Sequence, residues 1–230
     1  GKKNDGHNFL SQAIKKGATF CVVSKKNKKN SKYIRVKNTM NFLKELAKKK
    51  RDTSLAKFVA VTGSSGKTTV KTMLGNLLQK YSKTYFSPES YNNQYGVPLS
   101  ICNIKTNDNY CVQEVGMNKF KEIDNLSSIV RPHIGIITNI SEAHLENFRN
   151  IKDIAKAKSE IIYNIEKSGT IILNRDDKFF NYFKKIADKN NLKVKTFGYS
   201  KKSDIKFVNL KNNKDYFLLN LYVDNKKFLI

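Results

Sequence analysis

A chain of 230 residues with 39% hydrophobic content has enough material for one large or two modest domains around a real core. No apolar run approaches the ~20 residues that a membrane-spanning helix needs, and the opening GKKNDGHNFL is too polar for a secretory signal, so a cytosolic protein is expected. The formal charge of +25 invites a nucleic-acid partner, but the 44 Lys and Arg are spread along the chain with only short runs at 25–29 and 48–51, which reads as solvated surface that favours small anionic substrates.

Residues 7–16 read as a short helix closed at Gly17, where glycine takes the left-handed conformation at little cost. ATFCVV then reads as a strand and 39–48 as a second helix. The charged KKKRDTS that follows is taken as a boundary between a small partial domain, 1–54, and a larger one, 55–230. Cys21, Cys102 and Cys111 are odd in number, lack metal-ligand spacing and sit in apolar stretches, so they are expected to be reduced core thiols.

From Leu55 onward strands and helices alternate: strand 57–62, helix 67–80, strands 83–86 and 110–115, helix 119–129 and strand 134–140. Helix 151–165, strand 170–174, helix 177–188 and strand 193–197 continue the series. Such alternation predicts an α/β fold, a parallel sheet with helices on both faces, and the continuously apolar IGIITNI and GTIILN suit strands buried on both sides. After residue 204 the period changes to two in IKFVNL and YFLLNLYV, which predicts an antiparallel extension turning at DNKK. The chain starts on glycine rather than methionine and finishes on an apolar strand, as a piece of a longer protein would.

The stretch VTGSSGKTT, at the carboxyl end of the first strand of the larger domain, is a candidate phosphate loop. Gly63 and Gly66 allow a tight turn with inward amides, and the next helix adds its positive N-terminal dipole. Lys67 would reach terminal phosphates and Thr68 would hold magnesium. The full nucleotide-loop pattern has glycine two positions before Gly63, where this chain has Val61; the alternative is an ordinary Gly and Ser turn.

Strand YCVQEV delivers Glu114 to the same edge of the sheet, as a magnesium ligand or as a solvated, ion-paired acid. In ITNISEAHLENF, Ser141 would cap a short helix one turn before His144, a lone histidine that suits a structural role as well as a catalytic one. Along 151–165, Ile151, Ile154, Ala155, Ile161, Ile162 and Ile165 form an apolar stripe that includes Lys158, with Lys152, Lys156 and Ser159 on the other face. A buried Lys158 would lose its proton readily and could take up carbon dioxide as a carbamate. The alternative is a lysine that snorkels off the stripe.

VTGSSGKTT, YNNQYGVP, QEVGM, IVRPHIGIITNISEAHLENF, IAKAKSEI and ILNRDD occur in an order and spacing that resembles the Mur ligases, from DGHNFLSQAIKKGA to the end of the chain. The paired asparagines before GVP, with EVGM, favour a member that adds a dipeptide over siblings that add single amino acids. A sibling ligase or a folylpolyglutamate synthetase is the alternative enzyme, and a basic nucleotide-binding module on nucleic acid the alternative of another class.

The resemblance implies an ATP-dependent peptide ligase in peptidoglycan precursor synthesis, with Mg2+ as cofactor. Its substrates would be the small molecules UDP-N-acetylmuramoyl-tripeptide and D-alanyl-D-alanine, and it would be a monomer without nucleic-acid or membrane partners. Carried over by motif, Thr62, Gly63, Ser64, Ser65, Gly66, Lys67, Thr68 and Thr69 would hold the ATP phosphates, with Lys67 on the migrating phosphoryl group. Thr68 and Glu114 would bind one magnesium, while His144 and a carbamylated Lys158 would serve a second metal. Asn92 and Asn93 would line the substrate loop and Asn174 would contact adenine. The resemblance also places a third, closing domain after this segment, so the 230 residues alone are expected to bind nucleotide weakly without turnover.

Overall fold

The computed structural model describes residues 5–25, 30–142, 147–212, 217–224 and 226–230. A 3-10 turn leads into α1 (Leu10–Lys15), followed by β1 (Cys21–Val23) and β2 (Tyr33–Arg35), which pair in parallel as a small separate sheet. Strand β2 was not foreseen from the sequence. Helix α2 (Thr39–Thr53) is capped by the Asn38 side chain, which accepts from the Asn41 amide, and is longer than the expected 39–48. The charged stretch read as a boundary is therefore mostly helix: Lys48 and Lys49 face water while Arg51 turns inward. Its guanidinium donates to the carbonyls of Val130 and Arg131, both at 2.7 Å, and lies 4.2 Å from the Phe58 ring centre.

The larger sheet is built from β3 (Lys57–Thr62), β4 (Thr84–Phe86), β5 (Tyr110–Glu114), β6 (Ile134–Ile137), β7 (Thr170–Asn174), β8 (Lys193–Gly198), β9 (Ile205–Asn212), β10 (Phe217–Val223) and β11 (Lys226–Leu229). Its order is β11-β10-β9-β8-β7-β6-β3-β5-β4. Pairings from β4 to β9 are parallel and those of β10 with β9 and β11 antiparallel, so the extension after residue 204 forms as expected. The helices are α3 (Lys67–Gln79), α4 (Gly96–Cys102), α5 (Glu122–Val130), α6 (Ile151–Ser159) and α7 (Phe180–Lys189). Helix α4 was not read from the sequence. The expected single helix 151–165 changes to 3-10 geometry over Glu160–Asn164.

The period of two in β3 divides the core. Phe58 and Ala60 join a large cluster with Val97 and Ile101 of α4, Ile123 of α5, Ile154 of α6 and Phe183 of α7. Val59 and Val61 instead meet Val70, Leu74 and Leu78 of α3 on the opposite face. Both faces of the central strands are thus covered, which is why they read as unbroken apolar runs. Val61, where a generic phosphate loop has glycine, is fully buried beneath α3. Each fully buried aliphatic side chain of this kind contributes about 1.5–3 kcal/mol.

Cys21 and Cys111 are buried and Cys102 half-buried, all as free thiols, and burial pushes the Cys111 thiol up to about 12. Among the described residues no helix is long and apolar enough to cross a membrane.

Candidate active site

Parallel strands β3, β5 and β6 end side by side, with Val61 opposite Glu114 and Thr62 opposite Ile137. The chain leaves β3 through residues 63–66 and enters α3 with Gly66 as its N-cap at φ 76°, a left-handed conformation that glycine adopts freely. No side chain caps this helix, so its first amides are open toward solvent, as an anion cradle requires. Gly63, at φ 152°, has a second reason for lacking a side chain: a Cβ there would lie 1.8 Å from Thr138 Oγ1.

The loop is stitched to the segment after β6. Thr138 Oγ1 donates to Ser65 O at 2.6 Å, the Ser65 amide donates to Asn139 Oδ1 at 3.1 Å, and the Ser64 amide donates to Asn139 O at 2.9 Å. The Ser141 amide in turn donates to Ser64 Oγ at 3.0 Å, and Asp177 Oδ2 accepts from the Ile140 amide at 2.7 Å. Sequence reading missed Thr138, Asn139 and Asp177 because their partners are 37 to 75 residues away.

Thr68 and Glu114 meet as expected. Thr68 Oγ1 donates to Glu114 Oε2 at 2.7 Å, and Glu114, 1% exposed, accepts at Oε1 from Asn92 Nδ2 at 2.7 Å. A hydroxyl and a carboxylate side by side below an anion cradle are the all-oxygen donor set that magnesium prefers. Asn93 faces the same cavity, but its Oδ1 is taken by the amides of Tyr95 and Gly96, both at 3.0 Å, so it holds the start of α4.

Lys158 is buried on α6, 1% exposed, so it does not snorkel; Lys152 and Lys156 are exposed. Ser159, expected on the outer face with them, is buried instead, because α6 is covered on more than its apolar stripe; its hydroxyl donates to Lys156 O at 2.7 Å. Lys158 Nζ donates to Gly63 O at 2.8 Å, and Lys67 Nζ folds back on the same carbonyl at 3.0 Å. Burial, and then the Lys67 charge, lower the Lys158 pKa from 10.5 to about 7. Near neutral pH a large share of this amine is therefore unprotonated and nucleophilic.

Lys67, Thr68, Asn92, Asn93, Glu114 and Lys158 line one cavity of about 530 Å³. Asn174 does not join them. Its Oδ1 accepts from the Asp176 amide at 3.0 Å, and it borders a separate cavity of about 340 Å³ with Phe197, Tyr199, Ile205 and Phe207. Thr62 is fully buried below the loop, with no partner for its hydroxyl among the described residues, and Thr69 is exposed on the first turn of α3. His144 lies outside the described residues.

Residues 61–230 match the family model described as the Mur ligase middle domain. The chain is 37% identical over 225 residues to UDP-N-acetylmuramoyl-tripeptide--D-alanyl-D-alanine ligase of Rickettsia prowazekii, a match that covers 96% of this chain and 50% of that protein. A crystal structure of MurF from Acinetobacter baumannii superposes with a TM-score of 0.89 at 30% identity, over 100% of this chain and 50% of that one. A MurF ligase from Thermotoga maritima in complex with ADP gives a TM-score of 0.87 at 27% identity, over 100% of this chain and 53% of that one. The chain spans about half the length of each of these relatives.

Proposed function

The chain belongs to the Mur ligase family, and from that premise we propose that the protein carrying it uses ATP to join D-alanyl-D-alanine to the terminal carboxylate of UDP-N-acetylmuramoyl-tripeptide. The observation that carries this reading is the convergence of Lys67, Thr68, Glu114 and Lys158 on one cavity beside an uncapped phosphate loop. In the proposed reaction a carboxylate oxygen of the tripeptide attacks the γ-phosphorus of ATP and ADP leaves. The dipeptide amine then attacks the acyl carbon, loses a proton, and phosphate departs as the peptide bond forms.

The open amides of α3 would bind the transferring phosphates, and Lys67 would exchange the Gly63 carbonyl for a phosphoryl oxygen. Thr68 and Glu114 would hold magnesium, which supplies charge neutralisation when bound. Lys158, as a carbamate, would present oxygens to a second metal together with His144, a role drawn from the family resemblance. Asn92 and Asn93 would border the substrate, and the largely apolar cavity beside Asn174 would receive adenine. Residues 1–54 would contribute to the UDP-sugar site and 55–230 to the ATP-binding domain. Small molecules would be the only partners of a cytoplasmic monomer.

The test is phosphate release by the intact protein with ATP, UDP-N-acetylmuramoyl-tripeptide and a panel of amines. Release that depends on D-alanyl-D-alanine is expected, Lys158→Ala should abolish it, and short carboxylates should restore part of it. Preference for a single amino acid or for glutamate would move the protein to a sibling activity, and unimpaired Lys158→Ala would remove the carbamate.

A further inference from the structure

Helix α3 carries a second buried lysine that the chemistry above leaves without a task. Lys71, one turn after Lys67, is 1% exposed, and its Nζ donates to the main-chain carbonyl of Glu89. An ammonium is costly to bury unless it is paired and hydrogen-bonded, which ties Lys71 to the acceptor it has found. Burial lowers its pKa while the charges of Glu114 and Glu89 oppose that shift, so this amine lies within the electrostatic reach of the site acid. Lys71 and Gly75 are the buried residues of this helix, and the partly buried Leu78 lies two turns further along.

Its partner lies at a left-handed point of the loop. Glu89 sits at φ 39°, a left-handed backbone that a non-glycine residue holds only where its surroundings impose it. Three residues later the same loop supplies Asn92, whose Nδ2 donates to Glu114 Oε1 at 2.7 Å and whose carbonyl accepts from the Gly116 amide at 2.8 Å. Gly116 leaves room for this, since a Cβ there would approach Asn92 Cγ to 2.9 Å. One helix thus grips Glu114 twice: Thr68 binds Oε2 directly, and Lys71 pins the loop whose Asn92 binds Oε1.

We propose that Lys71 is a positioning residue, which clamps the 87–93 loop through the Glu89 carbonyl so that Asn92 fixes Oε1 of Glu114 and leaves Oε2 directed at a divalent cation. The proposal rests on the reading of Glu114 as a metal ligand, and it assigns Asn92 to the carboxylate. Outer-shell groups that orient a ligand typically change metal affinity 10- to 100-fold when removed.

The test compares Lys71→Met with the parent in the intact protein, after circular dichroism shows that both are folded. Amide exchange at Gly116 reports the clamp, and titration with Mn2+ in the presence of ADP reports the carboxylate. Faster exchange at Gly116 by about tenfold, with Mn2+ bound roughly 10- to 100-fold more weakly, is expected. Asn92→Ala should weaken Mn2+ similarly, and the double variant should lose little more, because both substitutions break one chain of contacts. Unchanged exchange at Gly116, unchanged Mn2+ affinity, or full additivity in the double variant each overturns the proposal. Should Lys71→Met not fold, Asn92→Ala with parent-like Mn2+ affinity overturns it. A parent that binds ADP but not Mn2+ overturns the reading of Glu114 itself, and the proposal with it.

Discussion

Replacing Lys158 by methionine should stabilise the fold while it disables the site, by an amount that depends on pH. The side chains are similar in length, but Met carries no charge into the place where Lys158 is 1% exposed. In the folded protein the amine has a pKa of about 7 against an ordinary value of 10.5. Between those values the unfolded chain binds the extra proton and the folded one does not, so stability rises with pH across that window. Below about pH 7 the penalty for holding the ammonium in the core is fully present.

Each pH unit within the window is worth about 1.36 kcal/mol. The parent should therefore gain roughly 3 kcal/mol between pH 6 and pH 9 that the variant cannot gain. Methionine forfeits the 2.8 Å bond to Gly63 O, but Lys67 Nζ still donates to that carbonyl at 3.0 Å, so it is not left bare. Urea denaturation in bicarbonate-free buffer at pH 6 and pH 9 measures both proteins. Lys158→Met should be the more stable at pH 6, with the advantage shrinking by about 3 kcal/mol at pH 9. A difference that does not vary with pH, or a variant less stable at pH 6, would refute the picture of a desolvated amine.

Two further substitutions test the frame around the site. Gly63→Ala would drive a methyl group into Thr138 Oγ1 at 1.8 Å, and a loss of about 1–3 kcal/mol together with weakened ADP binding is expected from thermal melts and calorimetry. Arg51→Ala would strip the carbonyls of Val130 and Arg131 of their donor and uncover Phe58. A destabilisation of about 3 kcal/mol should appear as a lower denaturant midpoint, and a change below about 1 kcal/mol would mean that water replaces the guanidinium.

Features that depend on neighbours within a few turns of chain are legible in the amino-acid order. The alternation of strand and helix, the glycines of the phosphate loop and the lysine in the apolar stripe of α6 all follow from local periodicity and local backbone freedom, and the structure keeps them. Helix α4 escaped notice because GVPLSIC is too short to show a period, and its start depends on Asn93. The charged end of α2 reads as a domain boundary, and not as helix, because composition cannot tell that Arg51 is received by carbonyls 79 and 80 residues away. Which side chains meet around Glu114 emerges only from the folded chain. Asn92, Thr68 and, through Glu89, Lys71 arrive from other elements, and a lysine, an asparagine or a threonine in a sequence does not show what it will face once the sheet has brought distant strand ends together.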